Sequence, residues 1–397
     1  MRRASLAVLF LTVLVDLIGF GIVLPLLPFY ARRYGATELE VGLLYSIYSL
    51  MQFLFVPLWG RLSDRIGRRP VILISVAGSV FSYTLFALAR SVELLFLARM
   101  FAGVAGANLA VAQAYIADVT PPEARSRNMA LIGAAFGLGF VLGPAIGGTF
   151  IPLGYAVPPL VAAGLAVLNW IMAFRFLPEP PHRSLSTERR TRILNVQAFI
   201  VFARRPLLGR LLVGAFLLPF AQANMYGIFP LLGAEVLGFS DRQVSYLFMY
   251  VGLLSVLVQG GVMRWLARRV SDPYLFAWGV VATAIGYGML PFWHDLSGVL
   301  LLLALVALGS VATPALSALT SRAAHADEQG TVLGLSQSLS SLGRTLGPAW
   351  GGVWYGIHHG LPFWSAALAL LLALLINRPG LYLLLGAPPS VSASVDQ

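Results

Sequence analysis

Apolar runs of about 20 residues return along the chain twelve times, each closed by charged residues or by a cluster of Pro and Gly. A run of that length crosses the hydrocarbon core of a bilayer as an α-helix. The predicted spans are 5–30, 41–60, 70–89, 93–117, 129–150 and 155–176, then 208–233, 243–265, 273–293, 296–319, 331–356 and 360–383. Met1-Arg2-Arg3 could open a cleaved leader, but the first run continues to Tyr30 through Asp16 and Pro25 without a small-residue cleavage site, so it reads as a membrane helix. An even number of spans puts both termini on one side. The polar stretch 177–207, with Pro178, Pro180, Pro181 and a run of arginines, divides the chain. It predicts a six-helix bundle over 1–176, a cytoplasmic linker over 177–207, and a second six-helix bundle over 208–397 that ends in a short cytoplasmic tail.

Sliding one half along the other uncovers a repeat. LGPAIGG at 142–148 returns as LGPAWGG at 346–352, six of seven positions identical at an offset of 204. Pro25-Leu26-Leu27 returns as Pro230-Leu231-Leu232, and Arg68-Arg69 returns as Arg268-Arg269. The expected fold is therefore all-α and integral to the membrane, twelve transmembrane helices in two pseudo-symmetric bundles related by an axis along the membrane normal, a geometry suited to rocking about a midplane site.

Composition excludes a soluble globule: 58% of residues are hydrophobic, 11% are charged, and the mean hydropathy is +0.82. The net charge of +11 does not point to nucleic acid, because all 27 basic residues are arginines placed mainly in short loops. The termini and even-numbered loops hold 21 of them and the odd-numbered loops hold Arg32, Arg33, Arg90 and Arg242, a bias that places both termini in the cytoplasm. Without Cys there is no disulfide, thiolate metal site or Cys nucleophile. The five His lie in or beside loops, and no hydrolase, zinc-protease or phosphate-loop motif occurs, so neither an enzyme nor a metal or organic cofactor is expected.

The two remaining arginines, Arg99 and Arg344, lie inside spans, as does Asp16. A charge at a helix centre costs about 2.5–3.5 kcal/mol on insertion scales, which makes each a candidate functional group. The repeat places Ala221 at the position of Asp16, Leu303 at that of Arg99 and Phe140 at that of Arg344, so the sister bundle builds the same fold without these charges. At 100° per residue Arg99, Gly103, Gly106, Ala110 and Gln113 share one face of the fourth span, with Asn108 opposite. Gln222, Tyr226 and Phe229 share a face of the seventh, and Gln337, Ser340 and Arg344 share one of the eleventh. With Phe20, these residues are candidates to line a central cavity. Gly139, Gly143 and Gly147 fall four apart beside Pro144, and Gly343, Gly347 and Gly351 repeat the ladder, a pattern that lets two helices approach closely and provides hinge and packing surfaces.

The loop after the second span reads GRLSDRIGRRP. Gly60, Asp64, Arg65, Gly67, Arg68 and Arg69 match the signature loop of the major facilitator superfamily, which the chain resembles. In that family the loop's Asp and Arg join the cytoplasmic ends of the two halves when the transporter faces outward, the Asp facing a helix N-terminus. The second copy has Arg264 and Ala267 where Asp64 and Gly67 stand, so the switch is assigned to the first copy. GLGFVLGPAIGG resembles the antiporter motif of the superfamily, and DLIGFGIVLPLLP with LFLARMFAGVAGANLAVAQAYIADVTPPEAR resembles drug:proton antiporters, the tetracycline exporters in particular. Those exporters carry further intramembrane acids and a His in the C-terminal half, whereas no acid lies deep in spans seven to twelve here.

The resemblance implies a secondary transporter of the bacterial inner membrane, working as a monomer and exporting small amphipathic compounds against a proton gradient, with Asp16 as the proton carrier and Arg99 near it. A major facilitator carrier that imports or exports metabolites or sugars is the alternative within transport. A non-transporting membrane receptor is the alternative from another class.

Overall fold

The computed structural model describes residues 2–180, 201–202, 204–266, 268–325 and 328–385. Most of the predicted linker and the tail beyond residue 385 lie outside the described residues. Among those described there is no strand. Twelve helical spans follow in order: α1 (Arg2–Arg33), α2 (Glu38–Ile66), α3 (Arg68–Ala87), α4 (Val92–Val119), α5 (Pro122–Phe150), α6 (Val157–Phe176), α7 (Pro206–Glu235), α8 (Asp241–Val262), α9 (Asp272–Phe292), α10 (Leu296–Ala323), α11 (Gln329–Tyr355) and α12 (Leu361–Leu385). Lipid offers the backbone no partners, so a helix is the one local solution for each run.

Eleven of these helices are long and apolar enough to cross a membrane. The exception is α11, where Ser336, Gln337, Ser338, Ser340, Ser341, Arg344 and Thr345 dilute the apolar residues. It is wedged between α7 of its own half and α2 of the opposite half. Its mate α5 is held in the same way between α1 and α8. The halves thus meet along two equivalent pairs, α2 with α11 and α5 with α8.

The duplication extends to local detail. Thr37 opens α2 and Ser240 opens α8, each with a reciprocal capping box closed by Glu40 and Gln243. The helix of α4 breaks at Ala107–Asn108, and that of α10 breaks at Ser310–Val311. Where α3 meets the end of α4, Arg68 Nε lies 2.9 Å from Asp118. Where α9 meets the end of α10, Arg322 lies 2.9 Å from Asp272. These two pairs stand at an offset of 204 and have exchanged signs. This register corrects the sequence alignment of the arginine pairs: the counterpart of Arg68 is Asp272, and Arg268-Arg269 belong to the preceding turn.

The start of α1 and the end of α2 mark one face of the molecule, called here the terminal face. Among the described residues, the hydrogen bonds and ion pairs that join the halves all lie in the middle or at the far face. Arg32 of α1 bonds Glu235 of α7 at 2.7 and 3.0 Å, Glu38 lies 2.9 Å from Arg32, and Tyr355 donates to Glu235 at 3.1 Å. Tyr155, after α5, donates to Asp241 at 2.5 Å with Arg33 over its ring, and the Ala349 amide donates to Ser46 at 3.1 Å. The halves are thus latched at the far face, whereas at the terminal face no bond between them is found among the described residues.

At the terminal end of α7, Arg205 meets Glu328 through two bonds of 2.5 and 2.8 Å and holds that carboxyl below the usual carboxylate range.

Candidate functional site

The open cleft leads to the three interior charges, and Tyr48 of α2 stands among them. Arg99 is 3% exposed; its guanidinium carbon sits 4.4 Å from the centre of the Tyr48 ring, and its Nε donates to the Leu44 carbonyl at 3.3 Å. Tyr48 also lies within electrostatic reach of Asp16 and Arg344. The register of α2 on α11 requires this placement, since these antiparallel helices touch at Ser46 and Ala349, and Tyr48 and Arg344 follow within about two turns toward the terminal face. Phe20 of α1 packs on Tyr48 with ring centres 5.1 Å apart, and on Phe140 at 6.0 Å.

Asp16 accepts from Asn108 Nδ2 at 2.8 Å and has the Ser79 side chain as a second, looser partner, while its buried Oδ1 has no partner at full hydrogen-bond geometry. Tyr83 donates to the Asp16 backbone carbonyl at 3.4 Å, and Ser79 of α3 lies nearby. No ion pair joins Asp16 to Arg99 among the described residues, so the carboxylate meets an amide where the sequence suggested a guanidinium. Asn108, set opposite Arg99 by the helical period, does meet a different helix: Arg99 turns to Leu44 and Tyr48 of α2, and Asn108, at the break in α4, to Asp16 of α1.

The two arginines are not equally satisfied. A cation–π contact contributes about 0.5–2 kcal/mol and a charged hydrogen bond about 1.5–3 kcal/mol, together of the size of the insertion cost that Arg99 carries. Arg344, half-buried in the cleft wall, donates to Ser341 Oγ at 3.0 Å, one turn away on its own helix.

The remaining cavity candidates separate. Gln113 and Gln337 are exposed, and Gln222 and Tyr226 are half-buried, with Tyr226 packed on Phe248 at 6.0 Å. Phe229 is 1% exposed and belongs to the core against Phe248, and Ser340 donates to the Ala215 carbonyl at 2.9 Å and so ties α11 to α7. Both are displaced from the expected lining, because a helix packed on several sides buries more than one face.

Both glycine ladders face their own half. Gly139, Gly143 and Gly147 lie along α1, where a Cβ on Gly143 would stand 2.6 Å from the Cα of Gly21; Gly343, Gly347 and Gly351 lie along α7, where a Cβ on Gly343 would stand 2.5 Å from the Phe216 carbonyl oxygen. Pro144 borders Gly21 in the same seam. Contact with the opposite half falls instead to the last glycine of each repeat: Gly148 on Ser245 of α8 and Gly352 on Glu38 and Leu39 of α2.

In the signature loop Asp64 lies 2.6 Å from Arg68, which also donates to Ser63 at 2.6 Å. Gly67 has φ +102°, and a Cβ there would stand 2.7 Å from Glu179 Oε1. The carboxylate at a helix N-terminus is that of Glu179, which accepts from the Arg68 and Arg69 amides at 2.7 and 2.9 Å and so caps α3. Arg69 also donates to the Phe174 carbonyl at 2.6 Å, Arg65 is exposed, and Gly60 faces open space. All these contacts stay within the first bundle and the start of the linker, and none reaches the second half.

The sequence profile of the Major Facilitator Superfamily matches residues 9–348. The chain belongs to this superfamily. It is 33% identical over 346 residues to the class C tetracycline resistance protein of Escherichia coli, covering 85% of this chain and 86% of that one. It is 30% identical over 401 residues to the mouse major facilitator superfamily domain-containing protein 10, covering 86% and 85%. Among solved structures, the human organic anion transporter MFSD10 (TETRAN) superposes with a TM-score of 0.71 at 27% identity over 95% of this chain and 99% of that one. An inward-facing, occupied bacterial homologue of the lysosomal transporter Spinster shares the fold, with a TM-score of 0.75 at 16% identity and 96% coverage of both chains. This superfamily chain is thus a multi-pass membrane transporter acting on small molecules.

Proposed function

We propose that the chain exports small amphipathic compounds in exchange for protons by alternating access, with its terminal face toward the bacterial cytoplasm. The arginine bias supports that orientation, in which the arrangement described above is the inward-open one. The observation that carries the reading is Asp16, an interior carboxylate held by the neutral side chains of Asn108 and Ser79 with no ion partner among the described residues, at a position the sister half fills with Ala221. The likeness to tetracycline resistance proteins supports efflux. Proton exchange is tested in inside-out vesicles with an imposed pH gradient read by a fluorescent weak base. Adding tetracycline, then other amphipathic drugs, is expected to draw protons out of the vesicles only when the transporter is present. Downhill solute flux with no proton movement would overturn the antiport reading in favour of an uncoupled carrier.

The signature loop carries a separate expectation. Asp64→Asn is expected to move the population further toward the inward-open arrangement, because Arg68 keeps Asp118 and Ser63 in that arrangement, whereas outward-facing closure loses its carboxylate. Spin labels on Arg127→Cys and Arg268→Cys would report a larger fraction of long distances across the terminal face. An unchanged distribution would leave the loop as a topology anchor alone.

A further inference from the structure

We propose that the far face carries a second binding site, a cavity between α1 and α7 that takes an amphipathic carboxylate and, when filled, holds the two halves together. The cavity measures about 390 Å³, within the range of small-molecule pockets. Pro28 and Phe29 of α1 and Leu231 and Ala234 of α7 form its apolar wall, and Arg32, Arg33, Tyr155 and Glu235 form its polar one. It is separate from the central cleft, since Arg33 stands about 25 Å beyond Asp16 along α1 at 1.5 Å per residue.

The charged groups around the cavity are unequally satisfied. Arg32 is shared by Glu235, Glu38 and the Ala36 carbonyl, and Glu235 takes the Tyr355 hydroxyl on its second oxygen. Tyr155 gives its hydroxyl to Asp241. Arg33 has no oxygen partner among the described residues; its guanidinium carbon rests 5.5 Å from the centre of the Tyr155 ring. An arginine on this side also runs against the loop bias, and the latch uses Arg32 for its ion pairs while leaving the fork of Arg33 without an acceptor. A carboxylate would satisfy that fork in bidentate form, with a flat apolar body against Phe29 and Leu231. A cation would find no free acid, because Glu38 and Glu235 are both committed to Arg32.

Position gives the site its effect. The ends of α1 and Tyr155 belong to the first half and α7 to the second, so a ligand touches both walls only while the far face is latched. A ligand that prefers one arrangement shifts the population toward it by the ratio of its two affinities. A filled cavity therefore arrests the cycle in the latched arrangement. With the terminal face toward the cytoplasm, as proposed above, an external amphipathic acid would slow export; only this choice of side rests on that orientation.

The probes are 2-naphthoate, 2-naphthamide and 2-naphthylmethylammonium, one apolar body with a negative, a neutral and a positive head. Affinities for the purified full chain are measured by equilibrium dialysis. The wild type is expected to bind the carboxylate about ten-fold more tightly than the amide, the scale of one charge-assisted contact, and the ammonium more weakly still. Arg33→Gln should erase the preference and Arg33→Lys should restore part of it. Ala234→Trp, which fills the cavity from the α7 wall, should weaken the carboxylate by at least about ten-fold. Spin labels on Leu88→Cys and Leu296→Cys, exposed at the far face of either half, should report a larger fraction of short distances when the carboxylate is added, and no such change in the Trp variant. Equal binding of the three heads, or equal binding by wild type and variants, as a probe held in the central cleft would give, would overturn the seat. Carboxylate binding that leaves the distances unchanged or lengthens them would overturn the lock. Both measurements are made in detergent without a proton gradient, so neither outcome depends on the antiport reading.

Discussion

Asp16→Asn is expected to abolish proton-driven accumulation, lowering the steady-state solute gradient to unity, while downhill exchange stays within about ten-fold of wild type. The asymmetry follows from the geometry. Asn keeps the size and one acceptor oxygen, so the bond from Asn108 at 2.8 Å survives and the fold of α1 on α4 is unaffected. What disappears is the group that gains and loses a proton, and among the described residues no other carboxylate lies deep in the spans to replace it. A charge without an ion partner inside the membrane is a cost the sister half avoids with Ala221, so the variant is expected to be at least as stable as the parent. Reconstituted vesicles with an imposed pH gradient measure both quantities on one preparation. Uphill flux by the variant would remove Asp16 from the coupling step. One carboxylate also implies one proton per cycle, which a reversal-potential measurement checks.

Gly352→Val is expected to hold the far face apart and to cut transport by an order of magnitude or more, because a branched side chain there meets backbone. Its Cβ would stand 2.9 Å from the Leu39 Cα and closer still to the Glu38 carbonyl, neither of which can rotate away. The contact joins α11 to α2 across the halves and makes no demand on packing inside either bundle, so the protein should fold and insert normally. The chain has no Cys, so Leu153→Cys and Ile357→Cys, both exposed at the far face, give a clean pair of labels. Their separation should lengthen in the Val variant while that of the terminal-face pair shortens. Wild-type distances with lost transport would show that Gly352 acts by some route other than closure. Gly148→Val, at the repeat-related contact with Ser245, should have a smaller effect, since there the Cβ would meet a side chain at 3.0 Å.

The twelve spans were legible because lipid leaves an apolar run no conformation other than helix, and the duplication was legible because the glycine contacts tolerate few replacements. Rotation was harder to read. A helical wheel says which residues share a face but not which helix that face meets, and it was Asn108, opposite Arg99, that reached Asp16. Identity matching aligned Arg68-Arg69 with Arg268-Arg269, since both turns carry arginines for the same topological reason, and it was blind to a pair whose signs are exchanged, Asp118 with Arg68 against Arg322 with Asp272. Tyr48 and Glu179 carried no sequence signal, for their roles depend on helices remote in the chain. The far-face latch did leave one. Of the four arginines that defy the loop bias, Arg32 bonds Glu235 across the halves, and Arg33 and Arg242 cover Tyr155 and Tyr246, whose hydroxyls meet Asp241 and Thr149 of the opposite half.

The polar character of α11 also bears on how the protein is made. A segment that leaves the ribosome carrying Ser336, Gln337, Ser338, Ser340, Ser341 and Arg344 partitions poorly into lipid by itself, and its partners α2 and α7 are already in the bilayer when it emerges. Insertion of α11 therefore depends on docking against that waiting groove or on entering as a hairpin with the apolar α12. A nascent chain arrested just after Tyr355 should leave the segment accessible from the ribosomal side, and extension through α12 should draw it in.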